Sequence, residues 1–249
     1  MKRNFAGTSD TGCVRSVNQD AYYMDPEGRF FIVADGMGGH AGGQEASRIA
    51  TEVIQAHLDS NWSDSQPSPK LLEAAFIRAN EAIIEDQQAN PERSDMGTTA
   101  VVFILREEQP WCANVGDSRL YRFRGKDIEQ ITEDQTWVAQ AVKKNSLTPE
   151  QARSHPWRHV LSQCLGREDM GKVDLFPVDV ESGDRFLLCS DGLTEDLSEE
   201  LITPIFEAAP ILSSSDACEA VAEKLVNAAK EEGGHDNITV IVVAVGKGK

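Results

Sequence analysis

The sequence lacks the features of a secreted or membrane-spanning protein. Its first ten residues, MKRNFAGTSD, contain no apolar run of the kind found in a signal peptide. No stretch reaches the ~18 consecutive apolar residues that a transmembrane helix needs. Five cysteines are scattered without a C-x-x-C pair, which is typical of free thiols in a reducing compartment. We therefore expect a soluble, cytoplasmic protein.

Positive charge is also scarce. The 249 residues include 24 Lys and Arg against 41 Asp and Glu, which gives a formal net charge of -17. Such a chain lacks the basic face that binds nucleic acid, and its charge disfavours docking on anionic lipid. Most of the acids serve solubility, but an acidic cleft also raises the local cation concentration. The composition therefore excludes nucleic-acid and membrane partners and suits a metal enzyme.

Several catalytic and metal-binding motifs are absent. The sequence contains no G-x-S-x-G nucleophile and no D-x-D followed by the threonine and lysine of a phosphoaspartate hydrolase. It contains neither an EF-hand loop nor the cysteine–histidine spacing of a zinc site. If the protein is a hydrolase, its nucleophile is therefore expected to be water rather than a side chain.

The order of helix-like and strand-like segments predicts an α+β fold rather than a doubly wound sheet. The predicted helices are 42–61, 70–88, 198–207 and 215–231. After residue 97, four β-rich runs separated by short polar breaks predict an antiparallel meander. We expect a central antiparallel β-sandwich flanked by pairs of helices on both faces, in four layers (αββα). Because no repeat, low-complexity tract or linker is present, residues 1–249 are expected to form a single domain.

An insert interrupts the strand pattern between about residues 133 and 172. It contains the tetrapeptide Thr148-Pro149-Glu150-Gln151, in which an N-cap, a proline and a capping-box glutamine predict the start of a short helix. A helical insert between two strands often covers a site. We therefore expect this segment to form a flap.

Aspartates lie at the ends of predicted strands in four separate segments: Asp35, Asp117, Asp191 and Asp236. Asp-Gly is a common turn dipeptide, so any one of these acids alone more often marks a turn. If all four gathered in one place, their carboxylates would repel one another unless a cation held them. Oxygen-only sites of this kind select Mg2+, Mn2+ or Ca2+.

The glycine-rich segment GMGGHAGG allows two interpretations. Gly36 to Ala41 matches the dinucleotide fingerprint G-x-G-x-x-A, placed after a strand and before a helix. That motif requires a second strand and an acid about 20 residues further on, where this sequence instead ends an amphipathic helix. The favoured interpretation is that glycine allows close backbone approach, so that a carbonyl can ligate a metal beside Asp35.

Two further side chains complete a candidate site. A lone arginine such as Arg15 is more often an ordinary surface residue, but beside a dinuclear metal centre it could clamp a phosphate. His40, at the tip of a loop, is either solvated or placed to protonate a leaving alkoxide. Water activated between two cations, an arginine clamp and a histidine acid together predict phosphoester hydrolysis.

Six motifs then resemble one family. In chain order, they are similar to the motif set of the metal-dependent protein phosphatase 2C (PPM) family, bacterial type. The six segments are RSVNQDA, VADGMGGHAGG, MGTTAV, NVGDSRLYR, LLCSDGLTE and GGHDNITVIVV. They span nearly the whole chain. The resemblance implies a monomeric phosphatase that removes phosphate from phosphoserine and phosphothreonine with two, or possibly three, Mn2+ or Mg2+ ions.

The resemblance also implies residue roles. Asp35 matches the acid that bridges two metals, and the Gly36 carbonyl holds one of them. Asp191 and Asp236 match the ligands that complete the site of the other metal. Asp117 and Asp191 together would form a third metal site.

The remaining implied roles are not metal ligands. Arg15 matches the phosphate-binding arginine, Asp20 the acid just outside the metal ligands, and His40 the proposed general acid.

Two departures and one likeness refine this expectation. Gln19 stands where many members carry glutamate, and His40 lies three residues further from Asp-Gly than in the shortest family pattern. The flap segments TWVAQAV and HPWRHVLSQCLGRED resemble cyanobacterial PphA-type phosphatases, which implies the phosphorylated PII signal protein as a candidate substrate. The alternatives are a non-catalytic phosphoprotein-binding module and a nucleotide-binding protein.

Overall fold

Two antiparallel sheets form the centre of the protein. The structure is a computed structural model that describes residues 1–39, 42–63, 65–106, 109–209 and 213–246. Its strands are β1 Lys2–Asp10, β2 Asp20–Met24, β3 Phe30–Met37, β4 Gly97–Thr98, β5 Ala100–Ile104, β6 Trp111–Val115, β7 Arg119–Arg124, β8 Asp127–Gln130, β9 Asp174–Pro177, β10 Arg185–Cys189 and β11 Ile238–Gly246. One sheet has the order β1-β11-β10-β7-β8, and the other has the order β2-β3-β5-β6-β9 with β4 paired to β3.

Helices cover the outer face of each sheet. They are α1 Gly42–Asn61, α2 Ser68–Ala89, α3 Trp137–Lys143, α4 Pro149–Arg153, α5 Asp191–Asp196, α6 Glu199–Glu207 and α7 Ser215–Glu232. α1 and α2 pack on the β3 sheet, whereas α5, α6 and α7 pack on the β10–β11 sheet. None of these helices has the length and apolar character that a bilayer span requires.

Side-chain alternation along the strands produces the layers. On β3, Phe30 and Ile32 face the α1–α2 pair, while Phe31 and Val33 face the opposite sheet. All four side chains are fully buried, which is why the strand is an unbroken apolar run. A third hydrophobic core lies between the sheets, so the predicted αββα sandwich is confirmed.

The predicted meander is wrong in one respect. β5 pairs with β6 in one sheet and β7 pairs with β8 in the other, so the chain changes sheets between β6 and β7. Gly116, with φ 107°, lies in the left-handed region at this crossing, where a glycine is needed. Short β-rich runs show the strands themselves, but not which sheet each strand joins.

The glycine fingerprint lacks the fold that it requires. β3, the strand before GMGGHAGG, pairs antiparallel with β2, β4 and β5. A dinucleotide-binding unit needs parallel neighbours joined by a crossover helix. Every strand pair in the described part of the chain is antiparallel, so the nucleotide-binding alternative loses its structural basis.

The insert contains two short helices, as expected of a flap. Thr136 caps α3 by accepting from the Ala139 amide, and Thr148 forms the predicted capping box with Gln151. A bridge from Thr136 to Leu161 closes the flap on itself, and a bridge from Thr98 of β4 to Leu165 joins its base to the sandwich.

Candidate metal centre

Asp35 lies inside a strand, not at its end as the sequence suggested. β3 continues to Met37, and Asp35 stands opposite Asp20 of β2. The Asp35 amide donates to Thr99 Oγ1 (3.0 Å), and its carbonyl accepts from the Thr98 hydroxyl (2.8 Å) and the Thr99 amide (2.9 Å). These bonds fix the backbone, so the position of the carboxylate is set by the sheet.

Asp191 and Asp117 approach Asp35 from two other elements. Asp191 is the first residue of α5, directly after β10, and Asp117 lies in the turn between β6 and β7. Burial, followed by the charges of Asp20 and Asp191, holds the pKa of Asp35 well above its usual range. The pKa of Asp117 is also well raised, by burial and then by the charge of Asp191.

Asp236 joins the group through close backbone packing. A Cβ added to Gly192 would lie 2.1 Å from the Asn237 carbonyl oxygen and 3.3 Å from Asp236 Cβ. Only glycine fits at this contact, which brings the start of α5 against the residues before β11. Asp191 and Asp236 are therefore neighbours although they are far apart in the chain.

Arg15 contacts this group directly. An Arg15 guanidinium nitrogen lies 2.6 Å from Asp236 Oδ2, and the Arg15 side chain is 52% exposed. An exposed cation at the edge of the acids is placed to meet an incoming anion.

Asp20 lies behind these acids. Ser190 Oγ donates to Asp20 Oδ2 at 2.7 Å. Burial is the main cause that raises the pKa of Asp20 to about 7, with the charges of Asp191 and Asp236 adding to it and hydrogen bonds opposing it. The same oxygen accepts from the Thr239 amide (3.0 Å), and Ser190 makes no side-chain cap to α5.

The donor set fits a hard divalent cation. Asp20 Oδ1 and Asp191 Oδ1 are buried and have no hydrogen-bond partner in the part of the chain that the structure describes. A buried carboxylate oxygen without a partner destabilises the fold unless a cation balances its charge. A Cβ on Gly36 would lie 2.0 Å from the Gly43 carbonyl oxygen, so the backbone beside Asp35 must be glycine. Carboxylate and carbonyl oxygens are the ligands that Mg2+ and Mn2+ prefer.

The ligands are not yet arranged around an ion. Across the described ranges, no three His, Cys, Asp or Glu side chains already form a group that could hold a metal. Arg15 holds one oxygen of Asp236, and His159 Nδ1 lies 3.8 Å from Asp191 Oδ2. Mg2+ sites use one or two carboxylates and keep several waters.

His159 is a residue that the sequence did not place at the site. It belongs to the flap, and its Nε2 lies 3.3 Å from Glu195 Oε1. Its pKa is raised chiefly by the neighbouring Asp191 carboxylate. The flap therefore reaches the acids themselves. His40, the predicted general acid, lies outside the described residues.

Asn237 is a second residue that sequence reasoning missed. Its Oδ1 accepts from the Gln19 amide (2.7 Å), and its Nδ2 donates to the carbonyls of Thr11 and Val17 (both 3.0 Å). These contacts fix both ends of the loop that carries Arg15. The HDN motif, with an amide next to a candidate ligand, was the available signal.

Gln135 ties the flap to the turn before Asp117. Its side-chain Oε1 accepts from the Gly116 backbone amide (2.8 Å), and its backbone amide donates to the Gly116 carbonyl (3.0 Å). Its Nε2 donates to Asp174 Oδ2 at 2.7 Å. No local sequence pattern identifies this glutamine, because its partners lie 19 and 39 residues away.

Comparisons with known proteins agree on one family. The protein phosphatase 2C family matches residues 13–230. The serine/threonine protein phosphatase PstP of Mycobacterium tuberculosis is 36% identical over 244 residues, which cover 97% of this chain but 45% of PstP. The protein phosphatase PhpP of Streptococcus pneumoniae is 36% identical, with 95% of both chains covered. This chain thus spans less than half of PstP and nearly all of PhpP.

Solved structures extend the likeness to the fold. The structure of PstP from M. tuberculosis superposes with a TM-score of 0.86 at 33% identity, covering 98% of this chain and 99% of that one. The PstP catalytic domain, in complex with two manganese ions, gives a TM-score of 0.82 at 34% identity, covering 98% of this chain and 99% of that one.

Proposed function

Since this chain belongs to the protein phosphatase 2C family, we propose that it hydrolyses phosphoserine and phosphothreonine monoesters in proteins. The observation that carries the proposal is the gathering of half-buried carboxylates from separate chain segments. Two buried oxygens in this group, Asp20 Oδ1 and Asp191 Oδ1, have no hydrogen-bond partner among the described residues. The PstP catalytic domain binds two manganese ions. We propose Mn2+ or Mg2+ for this chain.

We assign the ligands as follows. Asp35 would be a ligand shared by two ions, the Gly36 carbonyl would hold one of them, and Asp191 and Asp236 would hold the other. Asp117 and Asp191 together could hold a third ion. When bound, the ions supply Lewis-acid chemistry that neutralises the phosphate and activates water.

The protein's own groups orient the substrate. Arg15 is exposed beside Asp236, and exchanging that carboxylate for a phosphate would give the guanidinium a bidentate partner. Asp20, whose carboxylate accepts a hydrogen bond from Ser190, lies behind the ligands and supports their positions. We also propose His40 as the proton donor to the leaving serine or threonine oxygen.

We further propose a monomer that forms one domain over residues 1–249. For the substrate, the likeness of the flap segments to cyanobacterial PphA-type phosphatases supports the phosphorylated PII signal protein as a candidate. Phosphorylated PII should then be hydrolysed faster than a phosphopeptide with the same modified site. Equal rates would argue against PII recognition.

A panel of phosphopeptides compared in Mn2+, Mg2+ and EDTA tests the function. We expect turnover with either ion and none with EDTA. Asp191→Ala should abolish turnover of p-nitrophenyl phosphate while circular dichroism stays unchanged. Phosphopeptide binding without turnover under all conditions would instead support a non-catalytic binding module.

A further inference from the structure

Three aromatic rings cluster on the outer surface of the flap. Trp137 begins α3, and His155 and Trp157 follow α4. The ring centroid of Trp137 lies 5.1 Å from those of both His155 and Trp157, and the last two are 5.8 Å apart. The Trp157 amide donates to His155 Nδ1 at 3.1 Å, which fixes the order of the rings. We call these three residues the aromatic patch.

The packing of the fold does not account for the aromatic patch. Trp157 is 55% exposed and Trp137 is 39% exposed. None of the three rings belongs to the hydrophobic cores found in the described part of the chain. The stack of Trp137 on His155 can join α3 to α4, but that role leaves most of Trp157 in water. Exposed tryptophan at a rigid position is characteristic of protein-binding surfaces.

The cations beside the aromatic patch indicate the kind of partner. Residues 137–160 contain four Lys and Arg against one Glu, whereas the whole flap, residues 133–172, contains six against five. Two of these cations are paired, Lys143 with Glu133 and Arg158 with Glu195. This leaves Lys144 and Arg153 as exposed cations without an ion pair among the described residues. Arg153 lies two residues before His155. A basic aromatic surface on an acidic protein complements an acidic segment of a partner.

The aromatic patch is continuous with the candidate metal centre. His159 is two residues beyond Trp157, and its ring approaches Asp191. Val160, the next residue, is 47% exposed. A chain held at the metal centre by its phosphorylated residue would therefore reach the aromatic patch within a few residues.

We propose that the aromatic patch, with Arg153, is a docking site for an acidic segment of the phosphoprotein substrate. This proposal rests on the proposed phosphatase function and adds a substrate class to it. The site acts on substrate affinity at a distance from the phosphate, so small phosphoesters do not use it.

Two phosphoproteins of opposite charge test the proposal, together with p-nitrophenyl phosphate. In Trp157→Ala, we expect KM for phosphorylated casein, which is acidic, to rise about fivefold or more. The kcat for casein and both constants for p-nitrophenyl phosphate should not change. Arg153→Glu should raise KM for phosphorylated casein and lower KM for phosphorylated histone, which is basic.

Ile77→Ala is the matched control. Ile77 is 43% exposed on α2, outside the flap, and its truncation should leave every constant unchanged. Equal KM for casein in wild type and Trp157→Ala would overturn the proposal, as would the same rise for casein and histone.

A binding measurement separates this proposal from the phosphatase proposal. Dephosphorylated casein, added in EDTA, should protect the exposed tryptophans from acrylamide quenching in wild type but much less in Trp157→Ala. If wild type hydrolyses no phosphoester, the proposed function fails while this titration still tests the docking site. No protection would overturn the docking site. A dimer in light scattering that Trp157→Ala dissociates would also overturn it, by assigning the patch to a second copy.

Discussion

At the scale of single residues, the main feature of the site is mutual repulsion among buried acids. Asp20 illustrates it, because burial and the charges of Asp191 and Asp236 raise its pKa to about 7. An acid whose pKa is raised in the folded state binds its proton more tightly there than in the unfolded chain. Its stabilising contribution is therefore complete below the unfolded pKa of ~3.8 and is lost as pH rises through about 7.

This predicts a pH-dependent stability for the metal-free protein. In EDTA, the melting temperature of wild type should fall between pH 5 and pH 8. Asp20→Asn removes the titrating group, so the fall should be smaller in that variant. Glu73→Gln, an exposed position on α2, serves as the control and should follow wild type. Parallel curves for wild type and Asp20→Asn in differential scanning calorimetry would contradict the prediction.

Arg15 gives a second residue-scale prediction. Arg15→Ala removes the proposed phosphate partner and its contact with Asp236 but keeps every proposed ligand residue, so KM for phosphopeptides should rise more than kcat falls, with KM at least tenfold higher. Arg48→Ala is the control, because Arg48 on α1 is similarly exposed (49% against 52%) and also paired with carboxylates. Steady-state kinetics decide the matter, and an unchanged KM would remove Arg15 from phosphate binding.

Sequence reasoning succeeded for the acids and failed for the groups that support them. Asp191 follows an apolar run and Asp236 precedes one, so the pattern singled them out. Ser190 reaches the site through Asp20, 170 residues away, and Asn237 fixes the Arg15 loop through Gln19 and Val17, 218 and 220 residues away. A hydrogen bond of that span has no local periodicity, so the sequence predicted the charged groups but not what orients them.

At the scale of secondary structure, periodicity predicted helices better than sheets. α1 has the predicted bounds, because its apolar stripe repeats at 3.6 residues along 20 residues. α5 was missed because its six residues are too few to show a period. The change of sheet between β6 and β7 was missed because pairing is decided by distant strands.

The base of the flap gives an element-scale prediction. The Gln135 side chain bonds to Gly116, Asp174 and Gln163. Gln135→Ala would leave the buried Gly116 amide without its partner, at a cost of about 1–3 kcal/mol, and would remove the contacts with the half-buried Asp174 and Gln163. The flap should therefore open more often, and trypsin should cut after Lys144 and Arg153 faster than in wild type.

Gln88→Ala is the matched control for the flap, since Gln88 is exposed on α2 and lies outside the flap base. Cleavage rates are read by mass spectrometry under native conditions. If Gln135→Ala and Gln88→Ala are cleaved at the same rate, Gln135 does not hold the flap.

At the scale of the whole molecule, the candidate centre joins the two sheets. Asp35 comes from a strand of one sheet, whereas Asp191 and Asp236 flank strands of the other. An ion bound by all three would link the sheets across the sandwich. Because the unfolded chain does not hold these acids together, ion binding should stabilise the folded state.

Mn2+ should accordingly raise the melting temperature. At a free Mn2+ concentration of about 100 times its Kd, the free energy of unfolding rises by about 2.7 kcal/mol. For a chain of this length, this raises the melting temperature by roughly 5–10 °C. Asp236→Ala should lose most of this shift, whereas Asp127→Ala, an exposed position on β8, should keep it. Ca2+ is the useful comparison, because it takes more ligands at longer distances than Mg2+. If the shift with Mn2+ and Mg2+ survives in Asp236→Ala, Asp236 is not needed to bind the ion, and the ion is bound elsewhere.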